Sequence, residues 1–229
     1  MSIKQTFAII HTFRSIVNHD FEFIIDNCSI EIKSSENFLG VVIDVKLKFD
    51  SHIKNTCKKL SKSIGILYKL QNFVPFSVMK QLYYSLIYPY LNYCIRAWGG
   101  TYISHVNQLN ILQKRAIRII NKKPYLSHTN YLFFSNKILR VPDISKLKVG
   151  IYMYSSEMYN AHQQNHVHNT RSRNNLVSSF QRLNITQNSM TYIGPKIWNE
   201  IPNYVKTASS LRTFKYLYKS FLISKYSGE

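Results

Sequence analysis

The sequence predicts an α+β chain, mainly α. A small antiparallel β segment covers residues 1-49, a three-helix bundle covers 50-125, and a mostly helical region covers 126-229. Three observations predict this. Before residue 50, apolar and polar residues alternate in short runs broken by turn chemistry, the period of strands. After residue 50, apolar residues return every three or four positions, the period of helices. The charge also switches at Asp50: seven of the eleven acidic residues lie in the first fifty positions, and none lies between 51 and 142.

Taken in order, Phe7 to Ile10 is a short apolar run. Phe21, Phe23 and Ile25 alternate with Glu22, Ile24 and Asp26, and Ile30 and Ile32 flank Glu31, so both stretches read as strands. Phe38 to Ile43 reads as one further strand of β-branched and aromatic residues, with Gly40 allowing close backbone approach. A helix follows from an Asp50 or Ser51 cap, with Ile53, Cys57, Leu60, Ile64 and Leu67 on one face. Pro75 suits the start of a second helix, which carries Val78, Leu82, Tyr83, Leu86, Ile87 and Tyr90 and is expected to kink at Pro89. That helix is apolar nearly all round and so central, and Gly99-Gly100 ends it. A third helix runs from about Ser104 to Ile120, with Val106, Leu109, Leu112, Ala116 and Ile120 inward. Ile144 to Tyr159 reads as helical, residues 160–190 as loop, and Ser209 or Ser210 caps a final helix with Leu211, Phe214, Leu217 and Phe221 inward.

The chain of 229 residues is 45% hydrophobic and 14% aromatic, enough to bury a core. Its formal charge is +19. The acid-free window 51–142 holds fourteen Lys and Arg, a segregated positive field best explained by a polyanion. No apolar run reaches the roughly 18 residues of a membrane span, and Phe7 to Ile10 is too short an apolar core for a signal peptide. Cys28, Cys57 and Cys94 are scattered thiols, which argues for a reducing compartment: an intracellular site, cytoplasmic or nuclear.

The order of several motifs carries a resemblance. Phe38-Leu39-Gly40-Val41-x-Ile43-Asp44 is followed by His52-Ile53 and by Lys59-Leu60-Ser61-Lys62-x-Ile64-Gly65-Ile66-Leu67. Then come Leu82-Tyr83-x-Ser85-Leu86-Ile87-x-Pro89-Tyr90-Leu91-x-Tyr93-Cys94, Trp98-Gly99 and Gln113-Lys114-Arg115-Ala116-Ile117-Arg118. Thr170-Arg171, Gly194-Pro195-x-x-Trp198-Asn199 and Phe214-Lys215 close the series. This order resembles the reverse transcriptases of non-LTR retrotransposons (LINE elements) of the jockey and chicken-repeat type. Lys4 and Thr6 resemble the Lys-Thr pair that follows the catalytic motif in those polymerases.

The resemblance implies that residues 1-49 are the last palm strands, with Phe38, Leu39 and Gly40 in a primer-grip-like strand. It implies a thumb over 50-125 and a C-terminal connector over 126-229. It implies RNA-directed DNA synthesis for the parent enzyme, with an RNA template and a DNA primer strand (an RNA–DNA hybrid) as partners, together with the missing palm and fingers. Those polymerases hold two Mg²⁺ ions on a paired-aspartate motif and an upstream aspartate. This sequence has no Asp-Asp dipeptide. No catalytic residue is therefore assigned, Mg²⁺ is implied only for the intact parent, no cofactor is expected in this chain, and the chain alone is not expected to polymerise.

The residues expected to contact nucleic acid are Lys54, Lys58, Lys62 and Lys69 on the first bundle helix, and Lys114, Arg115, Arg118 and Lys122 at the end of the third. A purely solvated face is the competing reading; the long acid-free window favours phosphate contact. Tyr68, Tyr83, Tyr84, Tyr88 and Tyr93 read as core rather than as stacking platforms for bases, and Trp98 and Trp198 as core anchors. Gly40 and Gly65 read as close-packing points, with approach of a primer strand as the alternative at Gly40. Asp44 and Asp50 read as a strand-end residue and a helix cap rather than metal ligands, and His162, His166 and His168 as solvated loop histidines rather than a zinc site. Pro142-Asp143 is similar to the start of a nuclease signature of other retroelements, but a second acid is missing. Two other functions stand beside the polymerase-fragment reading: a stand-alone basic nucleic-acid-binding or protein-interaction module without enzymatic activity, and a peripheral protein of anionic membrane surfaces.

Overall fold

The computed structural model describes residues 7–10, 22–156, 175–178 and 180–227. Lys4, Thr6, the three histidines at 162, 166 and 168, and Thr170-Arg171 lie outside the described residues. The chain forms two compact units, Met1–Asn55 and Thr56–Glu229.

The first unit is built on short strands. β1 (Phe7–Ala8), β2 (Phe23–Ile25) and β3 (Cys28–Ile32) form one sheet in the order β1-β3-β2. β2 and β3 are antiparallel, joined through Asp26 and Asn27, both at positive φ. Asn and Asp tolerate that region, and two such residues make the turn whose twist suits a hairpin. β1 pairs with β3 in parallel, so the sheet is not wholly antiparallel as expected. The expected strand from Phe38 to Ile43 is instead the tip of a second hairpin. β4 (Ser35–Phe38) pairs antiparallel with β5 (Val41–Asp44) across Leu39 and Gly40, both at positive φ. Gly40 is thus required by a two-residue turn; the apolar run that suggested one strand spans both arms of the hairpin.

Asp44 organises the chain after β5. Its carboxylate accepts the backbone N–H groups of Lys46 (3.1 Å), Lys48 (3.1 Å) and Phe49 (2.7 Å), and this holds Leu47 and Phe49 at positive φ. α1 (Asp50–Leu70) starts immediately after, with Asp50 in its first turn, where a carboxylate suits the helix dipole. Buried His52 accepts the Val42 backbone N–H at 3.4 Å, tying α1's first turn to the hairpin.

The second unit is helical. α2 (Phe76–Leu86) is capped by Pro75, and α3 (Tyr88–Asn92) carries Pro89 in its first turn, so the expected kink is a break between two helices. α4 (Ile95–Trp98) ends at Gly99, and α5 spans Ile103–Ile120. Met79, Tyr83, Ile87, Leu91, Ile95 and Trp98 are fully or almost fully buried, confirming that this stretch is central. The Trp98 indole N–H donates to the Tyr93 carbonyl at 2.8 Å, which satisfies its one polar atom. Gln113 is the polar node of this core. Its amide nitrogen donates to Tyr83 Oη (2.9 Å) and to the Leu139 carbonyl (2.8 Å), and its oxygen accepts the Val141 N–H (3.0 Å). Burial pushes the Tyr83 hydroxyl well above the usual phenol range, so it stays neutral.

α6 (Asn130–Asn136) leads to α7 (Val141–Ser155), which starts three residues earlier than expected because Pro142 sits in its first turn rather than before it. The short α8 (Asn184–Gln187) precedes α9 (Met190–Glu200), α10 (Asn203–Lys206) and α11 (Leu211–Ser224), and a 3₁₀ turn follows at Lys225–Ser227. α9 and α11 both pack on α7. Gly194 lies where a side chain would meet the Met153 thioether, and Asn199 clamps Leu176 by accepting its N–H and donating to its carbonyl, both at 2.9 Å. Phe214 stacks on Tyr154 at 4.4 Å and on Trp198 at 6.1 Å. The expected Ser210 cap is present, its hydroxyl accepting the Thr213 N–H at 3.1 Å.

Candidate nucleic-acid interface

The first-bundle cations fall on one face of α1. At about 100° per residue, Lys54, Lys58, Lys62 and Lys69 occupy an arc of about 80°. The buried residues Ile53, Leu60, Ile64 and Leu67 occupy the opposite side. All four lysines are exposed. With a rise of about 1.5 Å per residue, they span about 22 Å of helix. Gly65 lies inside the same arc, and a Cβ built on it would meet nothing within 4 Å. It is therefore not the close-packing point expected. It is a glycine in mid-helix, on an open face, with no packing reason to be there.

The cations of α5 divide differently. Arg115, Arg118 and Lys122 meet in a cleft of about 400 Å³ at the C-terminal ends of α5 and α1, with Tyr68, Gln71 and Tyr125 in its walls. Lys114, one turn before Arg118 on α5, is not part of that lining. The cleft is shaped by how α5 stops. The Lys122 N–H donates to the Ile119 carbonyl (3.0 Å) and the Lys123 N–H to the Arg118 carbonyl (2.9 Å), with Lys122 at φ 51. This is the double-bond helix stop that usually carries glycine at the left-handed position. Lysine there accepts backbone strain and places a cation at the negative end of the helix dipole. Arg118 Nε donates to the Ser127 carbonyl at 2.8 Å, and its guanidinium lies 5.9 Å from the Tyr125 ring centroid.

Among the described residues, none of the eight basic candidates has a carboxylate partner. The described ion pairs lie elsewhere, on Lys33 with Glu31 and Glu36 and on Lys146 with Glu200. In the first unit, Phe38 and Leu39 at the hairpin tip are 58% and 74% exposed, with Gly40 beside them at φ 82. No described group of three or more His, Cys, Asp or Glu residues is placed to hold a metal ion. Among the described residues, no helix is long and apolar enough to cross a membrane.

Two features of the helical unit had no linear signal. Tyr68, Tyr84 and Tyr93 were expected in the core, yet they are 62%, 38% and 50% exposed; of the five tyrosines, Tyr83 is the buried one and Tyr88 is half-buried. Lys80, Lys137 and Lys219 come from α2, the end of α6 and α11, and they lie near enough to interact. Burial lowers the Lys219 pKa below the ordinary lysine value, and Lys80 and Lys137 lower it further. By contrast, Asp143 is absorbed into the fold. It accepts the Tyr226 hydroxyl proton, Tyr226 Oη accepts the Arg140 N–H at 3.2 Å, and the Arg140 guanidinium covers the Tyr226 ring at 4.3 Å.

Comparison with known proteins bears out the resemblance. The chain is 27% identical over 128 residues to the RNA-directed DNA polymerase from mobile element jockey of Drosophila melanogaster, an alignment covering 55% of this chain and 14% of that protein. It is 28% identical over 95 residues to the probable RNA-directed DNA polymerase from transposon BS of the same organism, covering 40% of this chain and 10% of that protein. The chain thus matches only a small part of each relative's length. No family model matches. No solved structure matches.

Proposed function

We propose that this chain is the nucleic-acid-binding thumb and connector portion of a non-LTR retrotransposon reverse transcriptase. In that reading residues 1-49 end the palm, 50-125 form the thumb and 126-229 the connector. It holds an RNA template and a DNA primer strand by backbone charge, without a catalytic centre of its own. The observation that carries this is the convergence of Arg115, Arg118 and Lys122 in one cleft, together with the exposed lysine face of α1, all without carboxylate partners among the described residues. Similarity to two RNA-directed DNA polymerases supports the same assignment. Cations left unpaired on a rigid helix repel one another, and phosphates relieve that repulsion while releasing counterions.

The hairpin tip at Phe38, Leu39 and Gly40 serves as a primer-grip-like contact in this proposal, and the exposed β2 residues Phe23, Ile24 and Ile25 suit strands supplied by the palm and fingers. Mg²⁺ enters only with the parent enzyme. The test is binding of the purified chain to an RNA–DNA hybrid, to duplex DNA and to anionic lipid vesicles at low salt. Micromolar or tighter binding to the hybrid, lost when Lys54, Lys58, Lys62, Lys114, Arg115 and Arg118 are changed to Gln, supports the proposal. Binding to vesicles but not to the hybrid overturns it.

A further inference from the structure

The cleft at the ends of α1 and α5 holds more than charge. We infer that it is a pocket for one unstacked nucleotide of a single strand, with its base stacked on Tyr68 or Tyr125 and its phosphate held by Arg115, Arg118 and Lys122. The inference rests on the nucleic-acid reading above and names a strand that reading leaves open.

A duplex lying across a basic surface needs only cations. It has no use for two tyrosines that are 62% and 70% exposed beside those cations. Exposed rings of this size leave apolar faces in water, and a nucleobase covers such a face while its phosphate meets the neighbouring charges. Only an unpaired base can do both. The cleft volume of about 400 Å³ falls in the range of roughly 300–1,000 Å³ that small ligands occupy.

The walls are held rather than loose. Tyr68 sits in the last turn of a 21-residue helix. Tyr125 stands just beyond the helix stop formed by Lys122 and Lys123, with Pro124 between. Arg118 spends one of its N–H donors on the Ser127 carbonyl, which keeps the guanidinium beside the Tyr125 ring and leaves other donors for a phosphate. Two helix C-termini would by themselves repel an anion, and the cluster of cations at the cleft reverses that local potential. Gln71 adds an amide, which carries both a donor and an acceptor for the edge of a base.

The test uses the full chain and measures affinity, by anisotropy, for a short single-stranded RNA and for an RNA–DNA hybrid. Tyr68→Leu with Tyr125→Leu removes the rings and keeps every charge. Tyr68→Phe with Tyr125→Phe keeps the rings. The Leu pair should weaken single-strand binding by roughly 10-fold or more. It should leave hybrid binding and the salt slope unchanged, and the Phe pair should bind as the unaltered chain does. An unchanged single-strand affinity in the Leu pair overturns the pocket. So does an equal loss on the hybrid, or a Phe pair that falls as far as the Leu pair. If the unaltered chain binds the hybrid but not the single strand, the pocket fails and the proposed function stands. If it binds neither, both fail.

Discussion

Arg140 and Arg115 sit in the same acid-free stretch of sequence, yet the fold uses them in opposite ways. Arg140 is taken inward: its guanidinium lies over the Tyr226 ring at 4.3 Å and the Phe133 ring at 5.7 Å, and its backbone N–H bonds the hydroxyl that also serves Asp143. Arg115 lies in the wall of an open cleft with Arg118 and Lys122. A charge of +19 is therefore an upper bound on what a partner can meet, since part of it is spent holding helices together. The inner and outer polar groups should separate cleanly by experiment, the inner ones governing melting and the outer ones governing binding.

The strongest attempt to break that separation is at Gln113. Gln113→Leu leaves Tyr83 Oη, the Leu139 carbonyl and the Val141 N–H without their partner inside the core. Stability should fall by about 3 kcal/mol, measured by chemical denaturation. Nucleic-acid affinity of the folded fraction should not change, although Gln113 adjoins Lys114 and Arg115 in sequence. A smaller loss is expected for Tyr226→Phe, which removes the hydroxyl between Arg140 and Asp143 and should cost about 1.5 kcal/mol with no change in binding.

Gly65 probes the outer face with the opposite sign. Gly65→Ala fills open space in mid-helix and should stabilise the chain by about 1 kcal/mol. A thermal melt checks this, and a drop in affinity alongside the gain would place nucleic acid against the α1 backbone. The smallest effect concerns Lys219, whose pKa is lowered in the folded chain by burial and by Lys80 and Lys137. A lowered lysine pKa means the folded state resists protonation. The resulting strain is fully present below the folded pKa and is relieved as pH rises from there toward the ordinary lysine value. Lys219→Met should raise the melting temperature slightly at neutral pH and flatten its rise with pH over that interval.

Much of the helical region was legible because its helices carry a clear apolar period and strong end signals: Ser210 caps α11 as expected, while Asp50 lies in the first turn of α1 rather than at its cap and Pro75 at the N-cap position of α2 rather than in its first turn, each one residue from the expected place. The hairpin at Leu39-Gly40 was not, because its turn carries Leu where Asn or Asp would have announced it. α6 was missed because seven residues are too few to show a period. The candidate site was legible as charge along two helices. Its concavity was not, because the cleft depends on a helix stop built with Lys122 in place of the usual glycine and on the exposure of Tyr68 at the end of α1. The cluster of Lys80, Lys137 and Lys219 depends on packing between elements far apart in the chain, which no local pattern encodes.

The most direct test of the central claim is the salt dependence of binding to an RNA–DNA hybrid, for the unaltered chain and for a variant carrying Lys58→Gln, Lys62→Gln, Arg115→Gln and Lys122→Gln. If these four outward cations meet phosphates, the slope of log affinity against log salt should shrink by about 3.6, with both proteins folded at the assay temperature. An identical slope in the two proteins, with both fully folded, would contradict the claim that this surface grips nucleic acid.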